Sequence, residues 1–575
     1  MNPQDSFRST STAATSIGSS VLPAGGEPAP LLFSRWIVEE ADAGRASDLA
    51  RNAGLPLIVA ELLVNRGVQS AAEAETFLHP QIDHLLNPYS MLGMAEAVAR
   101  IQAAVERREP ILIYGDYDVD GTTAIVLLKT AIEMLGGIVR FHVPHRIRDG
   151  YGMQAEVLAT AAQEGVRLVI SVDSGIRAFA AAEMAERLSL DLIITDHHLP
   201  EQPASSGSRL PRALAILNPN QGDCGYACKH LCGAGVAFKL SQALLEARDV
   251  ARAREKILPS FLKMLAIATV ADAVPLLGEN RVFLRLGLDE LRRPVNQGLR
   301  RLIELANLDP AQRRLTATDL AFRIAPRINA AGRMDVATDV VDLFTTRDPL
   351  RARELAEKLD RLNGDRRQAE AGVLEQIERR LEEEAGFAGS RCLVIDGEGW
   401  HRGILGILAS RVVDRRQRPA IVITRENGEA HGSGRSLPGF HLLNAIESCH
   451  ELFTRFGGHA HAVGFSLPSD RVPELRERLE AWSERHGSFE APGLSCHGVL
   501  PLDQIHPALW AWLRRLEPFG MQNQEPVFVA HNVRVTAPVR NFKERHVQIR
   551  LAQGTPATGA SFSALGWDWA ERIRA

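Results

Sequence analysis

The sequence predicts an α/β protein organised around a parallel, doubly wound sheet. Between residues 109 and 220, short apolar segments alternate with amphipathic segments of about 10 to 15 residues, a pattern typical of strands and crossover helices. Acidic and histidine side chains follow three of the apolar segments directly, at the strand ends where such sheets bind ligands. The predicted strands are 111–114, 138–143, 166–173, 190–196 and 213–219.

The length and composition indicate a multidomain globular protein. A chain of 575 residues is too long for one hydrophobic core and predicts three or four domains. The sequence contains no run of about 18 apolar residues and therefore predicts no membrane span. No secretory signal is visible at the N-terminus. Six cysteines do not form a disulfide scaffold and favour a reducing cytoplasm. The net charge of −4 argues against broad coating of nucleic acid but permits a local basic channel.

Composition and periodicity place the domain boundaries. The N-terminal residues are rich in Ser, Thr, Gly, Ala and Pro and predict disorder. A strongly charged stretch of about 35 residues predicts a connecting helix roughly 50 Å long. The predicted segments are a disordered tail (1–34), a helical lead-in packed on the first domain (35–108), a first α/β domain (109–345), the connecting helix (346–386), a second α/β domain (387–488) and a β-barrel of the OB type (489–575).

The segment 111–123, ILIYGDYDVDGTT, predicts a metal site. Asp116, Asp118 and Asp120 lie at alternate positions between a buried strand and an apolar helix. Three carboxylates so close together repel one another unless a cation lies between them. At the end of a strand in an α/β sheet, that cation is usually divalent. A solvated acidic turn is the alternative, and the apolar flanks on both sides make it less favourable.

Two further predicted strands end in potential ligands. Asp173 follows the third strand, and Asp196, His197 and His198 follow the fourth. Each alone is typical of a helix cap or of surface histidines. Together with the acidic loop they converge on one edge of one sheet, and mixed carboxylate and imidazole groups suit Mn²⁺, Mg²⁺ or Fe. This number of ligands fits two ions about 3.5–4 Å apart.

A sixth acidic residue, Asp272, lies in an otherwise apolar segment, 261–281. A carboxylate in such a setting needs a partner. The partner is either Arg281 or Arg285, or a metal ion if Asp272 closes the site from this side. We favour the metal ligand.

A cysteine and histidine group follows the first sheet, at Cys224, Cys228, His230 and Cys232. Its spacing does not match a zinc knuckle, and no second CxxC half is present. We therefore do not expect zinc there.

Three later segments predict phosphate contacts. The segment 324–335 carries two arginines among small residues and predicts a phosphate-gripping turn. Two glycine-rich turns are predicted at 431–439 and 455–465, where Arg435 and His459 accompany flexible backbone that can approach an anion. Ordinary tight turns are the alternative. In the C-terminal barrel, local positive charge comes from Arg534, Arg540, Lys543, Arg545 and Arg550.

An ordered series of motifs resembles the DHH phosphoesterase superfamily and, within it, the RecJ family of single-strand-specific DNA exonucleases. The series comprises YGDYDVDGTTA, VPHRIRDGYG, SVDSGI, TDHHLP, LNPNQ, GAGVAFKL, TVADAVPLLGENR, PRINAAGRM, GWHRGILGILASR, GSGRS and GGHAHAVGF, and it covers residues from about 110 to 466. One departure is that the family often has PFGxGN where this chain reads PFGMQN, with Gln522 in place of the second glycine.

The resemblance implies a DHH domain and a smaller DHHA1 domain joined by a long helix, with a C-terminal OB barrel. It implies hydrolysis of single-stranded DNA from the 5′ end, with release of 5′-mononucleotides, in DNA recombination and repair. Mn²⁺ or Mg²⁺, as two ions, would be the cofactor. A monomer is implied, and whether a single-strand-binding protein or a RecQ-type helicase docks stays open.

Residue roles carried over from the family follow the matching motifs. Asp116, Asp118, Asp120, Asp173, His197 and Asp272 would hold the metal ions, with Asp116 or Asp120 as an alternative supporting residue. His198 would contact the scissile phosphate, and Asp196 would orient the neighbouring histidine. The residues implied in substrate binding are Arg333, Arg435, Ser436, Gly458 and His459.

Two other functions compete with this interpretation. A small-substrate phosphodiesterase or pyrophosphatase of the same superfamily would not need the lead-in and the barrel. A non-catalytic DNA-binding scaffold would lack acidic ligands, whereas every one is present here.

Overall fold

The computed structural model describes residues 15–17, 36–146, 148–149, 152–201, 209–486, 493–554, 559–570 and 573. Most of the predicted disordered tail, 1–34, lies outside the described residues. Its described part, Thr15–Ile17, forms a strand that pairs antiparallel with Trp36–Val38. Among the described helices, none combines the length and apolar character that a bilayer span requires.

The described strands form four sheets. In chain order they are β1 (Thr15–Ile17), β2 (Trp36–Val38), β3 (Pro110–Tyr114), β4 (Ile138–His142), β5 (Leu168–Val172), β6 (Asp191–Thr195), β7 (Ala215–Leu217), β8 (Leu393–Glu398), β9 (Ala420–Glu426), β10 (Glu429–Arg435), β11 (Arg455–His459), β12 (Ala462–Pro468), β13 (Leu494–Cys496), β14 (Arg534–Val535), β15 (Arg540–Phe542), β16 (His546–Gln553) and β17 (Ala560–Gly566).

Helices connect and cover these sheets. In chain order they are α1 (Ala43–Ala53), α2 (Leu57–Asn65), α3 (Ala71–Leu78), α4 (Met94–Glu106), α5 (Val119–Met134), α6 (Ala155–Gln163), α7 (Phe179–Arg187), α8 (Gly233–Arg248), α9 (Val250–Arg252), α10 (Leu258–Ala271), α11 (Gly278–Glu290), α12 (Gln297–Leu305), α13 (Ala317–Asp319), α14 (Ala325–Met334), α15 (Thr338–Thr345), α16 (Pro349–Glu383), α17 (Leu405–Arg416), α18 (Leu442–Glu447), α19 (Val472–His486) and α20 (Pro507–Arg515).

The chain divides into two compact units. The first comprises Met1–His84, Pro275–Arg281 and Ala491–Ala575, and the second comprises Leu85–Val274 and Val282–Glu490. The sequence places the lead-in at 35–108 and packs it on the first α/β domain. In the structure its first three helices share a core with the C-terminal segment, whereas α4 lies in the second unit. Apolar periodicity predicts these helices, but it does not predict that their partners lie in the C-terminal segment of the chain.

The sheet at the centre of the second unit has the order β4-β3-β5-β6-β7, and its neighbouring strands are all parallel. Every residue of β5 is buried, as expected of a parallel strand covered on both faces. The predicted parallel sheet is therefore confirmed. Four strands lie inside their predicted segments, and β3 begins one residue before its segment, at Pro110. The carboxyl ends of β3, β5 and β6 lie side by side and carry the predicted acidic and histidine residues.

A second sheet, with the order β11-β12-β10-β9-β8, follows the 35-residue helix α16. The prediction of glycine-rich turns at 431–439 and 455–465 is wrong over most of both segments, because they form β10, β11 and β12. The glycines make room within the sheet. A Cβ on Gly432 would lie 2.2 Å from the ring of Phe465, its partner across β10 and β12.

The predicted turn at 324–335 is also wrong, because residues Ala325–Met334 form helix α14. A π-helical turn, Leu320–Ile324, leads directly into this helix, and Pro326, which has no N–H to donate, lies at the junction. Alanine-rich sequence continues the helix to Met334. The two arginines therefore project from a helix rather than from a turn.

The first unit contains the C-terminal sheet. Strand β16 pairs antiparallel with β14, β15 and β17. Strands β16 and β17 are the long strands of this sheet, with eight and seven residues, whereas β14 and β15 have only two and three. Arg534, Arg540, Lys543, Arg545 and Arg550 are exposed on this sheet and its connections.

Candidate active site

The acidic loop between β3 and α5 is fixed by its own backbone. Asp118 caps α5, and its Oδ1 accepts hydrogen bonds from the N–H groups of Asp120 (2.9 Å) and Gly121 (3.0 Å). A Cβ on Gly121 would lie 2.7 Å from the backbone of Asp116, so this position requires glycine. The tight turn holds the three aspartates in a fixed arrangement at the end of the strand.

Asp120 is tied to helix α8. Its two carboxylate oxygens accept hydrogen bonds from Gly233 N (2.6 Å) and Ala234 N (2.9 Å), at the positive end of the helix. The thiol of Cys232 donates to the same carboxylate. Burial nevertheless raises the pKa of Asp120. Of the three aspartates in the loop, Asp120 is thus the one most strongly held by the fold itself.

His197 lies at the centre of the other predicted ligands. Its Nε2 is 3.3 Å from Asp173 Oδ1 and 3.9 Å from Asp120 Oδ2, and its Nδ1 is 3.8 Å from Asp272 Oδ2. Burial lowers the pKa of His197, which favours the neutral imidazole that a metal ion needs. Segments far apart in the chain therefore converge on one point.

Asp173 and Asp272 are placed by different local structures. Asp173 follows β5 with a φ of 56°, an uncommon conformation for a residue with a side chain. A Cβ on Gly233 would lie 2.4 Å from Asp173 Oδ1, so α8 can begin here only with glycine. Asp272 ends helix α10. The alternative partner Arg285 instead lies 3.8 Å from Asp289.

The electrostatics of these acids call for cations. Burial, followed by repulsion from Asp118, raises the pKa of Asp116 to about 8. Burial, followed by repulsion from the negative charges of Asp120 and Asp118, raises the pKa of Asp272 to about 9. For Asp173, burial and the neighbouring acids raise the pKa well above its usual value. Asp116 Oδ1 and Asp173 Oδ1 are buried without a hydrogen-bond partner. Divalent cations would fit this donor set, because they would neutralise the repulsion and use the free oxygens.

Potential ligand atoms meet in three overlapping groups, in each of which the atoms lie within 4.8 Å of one another. Together the groups contain all six predicted ligands and His198. They are Asp116, Asp118 and Asp173; Asp120, His197 and Asp272; and Asp173, His197 and His198. Within the described part of the chain, no such group includes Cys224, Cys228, His230 or Cys232.

Asp196, which is buried, and His198, whose side chain is 46% exposed, form a hydrogen-bonded pair beside these acids. Asp196 Oδ1 also accepts from the N–H groups of His197 (2.7 Å) and His198 (3.1 Å), and Oδ2 accepts from Ile176 N (2.9 Å). Burial opposes ionisation of Asp196, but the bonds from His198 and Ile176 outweigh it and lower its pKa. Burial likewise opposes the charge on His198, yet Asp196 raises the pKa of His198 to about 9. Of the two histidines, His198 is the one that Asp196 orients.

A cavity of about 310 Å³ opens over this site. It is lined by Asp116, Tyr117, Asp118, Arg146, Asp173, His197, His198, Ala271, Asp272, Asn329 and Arg333. Tyr117, Arg146 and Asn329 were not among the predicted site residues, although all three lie inside the family-like motifs of the sequence. Only their contacts identify them. Asn329 Oδ1 accepts a hydrogen bond from Val119 N (3.2 Å), at the first residue of α5.

The predicted phosphate-binding residues meet at one end of the second sheet. Ala462 on β12 pairs with Arg435 on β10 and with His459 on β11, which places all three in one row. Arg435 donates to Ser433 Oγ (3.2 Å) and to Gly434 O (2.8 Å). Ser433, which was not a predicted site residue, therefore supports Arg435.

Two other predicted residues complete this end of the sheet. Ser436 donates its hydroxyl to Phe440 O (2.8 Å). Gly458 has a φ of 149°, and a Cβ there would lie 2.2 Å from Ala462 O. Burial, and then the nearby His461 and Arg435, lower the pKa of His459.

Three arginines link the cavity to this end of the sheet. Burial, followed by repulsion from the positive charge of Arg146, lowers the pKa of Arg333 to about 10. The charge of Arg435 also lowers this pKa. Burial and Arg146 likewise lower the pKa of Arg435. Arg333 donates to Gly403 O (3.1 Å), which fixes its side chain near the start of α17. Arg146, Arg333 and Arg435 form what we call the arginine row, a positive region beside the acidic one.

Comparisons with known families agree with this geometry. The sequence matches the DHH family N-terminal domain over residues 110–269, the DHHA1 domain over 387–485 and the RecJ OB domain over 496–575. Similar proteins include single-stranded-DNA-specific exonucleases RecJ of three bacteria. Identity is 36% with the Bacillus subtilis protein, 38% with that of Dickeya dadantii and 35% with that of Escherichia coli.

Coverage of these relatives differs. The alignments cover 90%, 82% and 83% of this chain in the same order. They span 64% of the B. subtilis protein, 83% of the D. dadantii protein and 84% of the E. coli protein.

Solved structures give the same result. Thermus thermophilus RecJ in complex with Mn²⁺ aligns with a TM-score of 0.76 and 28% identity, covering 92% of this chain and 76% of that chain. The same protein in complex with Mg²⁺ aligns with a TM-score of 0.69 and 25% identity, covering 92% and 78%. With the same three domains in the same order and relatives of this similarity, the chain belongs to the RecJ family.

Proposed function

We propose that the chain is a metal-dependent exonuclease that degrades single-stranded DNA from its 5′ end and releases 5′-mononucleotides. The observation that carries the proposal is the cluster of buried acids around His197, with a row of arginines beside it. The names of the similar proteins support single-stranded DNA as the substrate.

Two divalent cations, Mn²⁺ or Mg²⁺, are the cofactor in this proposal. The RecJ structures in complex with these ions support it. The residues that would hold them are Asp116, Asp118, Asp120, Asp173, His197 and Asp272. When bound, such ions activate water and neutralise charge on a phosphate.

His198 is proposed to contact the scissile phosphate. With its pKa raised to about 9, its imidazole is positively charged at neutral pH. Asp196 fixes the ring through Nδ1, which leaves Nε2 to donate to a phosphate oxygen. A charged donor that is already oriented stabilises the extra negative charge of the transition state without reorganisation.

The arginine row is proposed to bind the 5′ end of the strand. Guanidinium groups bind phosphate oxygens with two parallel hydrogen bonds, and a terminal phosphate carries more charge than an internal one. The three arginines are half-buried, and none of them forms an ion pair within the described part of the chain. The arginine row therefore favours a 5′-phosphate, supported by Ser433, Ser436, Gly458 and His459.

The C-terminal sheet is proposed to bind the strand nonspecifically. Its exposed arginines suit a phosphate backbone, and Trp567, which is 60% exposed, suits stacking on a base. We further propose that the protein acts as a monomer in the cytoplasm, during DNA recombination and repair. Its candidate partners are a single-strand-binding protein and a RecQ-type helicase. Among the described residues, none of the six cysteines forms a disulfide.

Digestion of a single strand labelled at either end tests this function. With Mn²⁺ we expect immediate release of the 5′ label as a mononucleotide, while the 3′ label stays on long products. The Asp173→Ala variant is the control and should release neither label. Earlier loss of the 3′ label would overturn the direction, and indifference to strands longer than a few nucleotides would favour a small-substrate phosphodiesterase.

A further inference from the structure

Tyr117 stands out among the residues that line the active-site cavity. It is the one aromatic carbocycle among them, and it lies between two of the predicted metal ligands, Asp116 and Asp118. Burial and then the charge of Asp116 raise the pKa of its phenol to about 12, so the ring is neutral. Nothing in the proposed chemistry so far uses this side chain.

The ring of Tyr117 supports Arg146. The guanidinium carbon of Arg146 lies 4.8 Å from the centre of the ring, within the range of a cation–π interaction. Among the described residues, Arg146 forms no ion pair. The face of the Tyr117 ring is therefore the principal described contact of Arg146. Arg146 itself lies on a loop after β4, outside any helix or strand.

The backbone of Tyr117 is itself held in place. A Cβ on Gly332 would lie 2.3 Å from Tyr117 O, so helix α14 packs directly on this residue immediately before Arg333. On the other side, Asp118 is fixed as the cap of α5. Since both neighbours are held by these contacts, the ring can fix the position of the Arg146 side chain, which forms no ion pair among the described residues.

We infer that Tyr117 is a positioning residue that holds the Arg146 guanidinium in the cavity, where it contacts the 5′-phosphate of the substrate. The inference rests on the proposed function and adds to it a specific support for one member of the arginine row. An unsupported arginine would lose more conformational freedom on binding and would bind phosphate less tightly.

Three variants of the full-length chain test this inference. In Tyr117→Leu the face of the ring is lost, and KM for a 5′-phosphorylated strand should rise about 3- to 10-fold, the range of a partly desolvated cation–π contact, with little change in kcat. In Tyr117→Phe the ring remains, and KM should stay near that of the parent. Tyr89→Leu, at an exposed tyrosine of the same unit, is the matched control.

The decisive readout is the preference for a 5′-phosphate over a 5′-hydroxyl. Tyr117→Leu should reduce this ratio, and it should have no further effect when Arg146 is already alanine, because the two residues act as one unit. An unchanged ratio in Tyr117→Leu, or losses that add in the double variant, would overturn the inference. Failure of the parent chain to release any 5′ nucleotide would instead overturn the proposed function.

Discussion

The side chains of His198 and Asp196 are joined by a hydrogen bond of 2.7 Å between Nδ1 and Oδ1, and this bond sets the charge of the histidine. Because Asp196 is almost completely buried, its negative charge is poorly screened and acts strongly on the ring. The pair thus supplies a positive charge at neutral pH without a lysine or arginine.

This pair predicts the alkaline limit of activity. In the metal-free protein the folded pKa of His198 is raised from 6.5 to about 9, chiefly by Asp196, so its charge is complete below 6.5 and is lost as pH rises through about 9. Asp196→Asn removes the negative charge that raises the pKa of His198. The alkaline limb of kcat/KM should therefore move toward neutral pH. Measurement of kcat/KM against pH from 6 to 10, with saturating Mn²⁺, checks this. An unshifted limb would mean that another group sets it.

The buried acids predict how the metal-free protein responds to pH. Asp116 and Asp272 have folded pKa values raised to about 8 and about 9, so the fold holds extra protons and its stability falls as pH rises through these values. Metal ions replace those protons. The gain in Tm on adding Mn²⁺ should therefore be larger at pH 9 than at pH 6, and calorimetry checks it.

Removal of one of these charges should separate stability from metal binding. In Asp173→Asn, the metal-free protein should melt at a higher temperature than the parent at pH 8, because burial and repulsion from the neighbouring acids disfavour the ionised form of Asp173 in the fold and so cost stability at this pH. The stabilisation by Mn²⁺, about 2.7 kcal/mol for the parent at 100 times the dissociation constant, should be largely lost. The exposed Asp365→Asn should change neither value. A lower metal-free Tm in Asp173→Asn would contradict the repulsion argument.

Arg281 predicts a large structural effect in the first unit. Its buried guanidinium donates to the carbonyls of Phe77, Arg515, Leu516 and Glu517 at 2.7–3.1 Å and stacks on the ring of Phe77 at 3.8 Å. Lysine cannot reproduce the fork or the stack. Arg281→Lys should lower the free energy of unfolding of this unit by about 2–4 kcal/mol, measured by urea denaturation. Arg51→Lys, in an exposed ion pair, should change it by less than about 1 kcal/mol.

Gln522, the departure from the family motif, predicts a stabilising substitution. It has a φ of 55°, where a side chain is disfavoured and glycine is not. Gln522→Gly should raise the free energy of unfolding by about 0.5 kcal/mol, after the larger unfolded-state entropy of glycine is included. Gln548→Gly, in the middle of β16, is the matched control and should lower it. Destabilisation by Gln522→Gly would show that the amide side chain makes a contact worth more than the strain.

The parallel sheet and the ligand-bearing strand ends were predictable from local patterns, because apolar runs followed by Asp or His need no knowledge of distant contacts. The strands around Gly432 and Gly458 were not, since glycine lowers the strand signal and only a partner such as Phe465 explains its use. Tyr117 and Arg146 were missed for a similar reason. Their significance comes from a contact between two loops about 30 residues apart in sequence.

The attachment of Asp120 to helix α8 has a consequence for how this protein can change over evolutionary time. Helix α8 is buried over most of its length, and it begins on a carboxylate that also belongs to the catalytic cluster. Loss of Asp120 would thus damage folding, whereas loss of Asp116 or Asp272 would relieve repulsion and abolish only metal binding. A descendant that drifts toward a purely DNA-binding role should discard those two acids first and retain Asp120 longest.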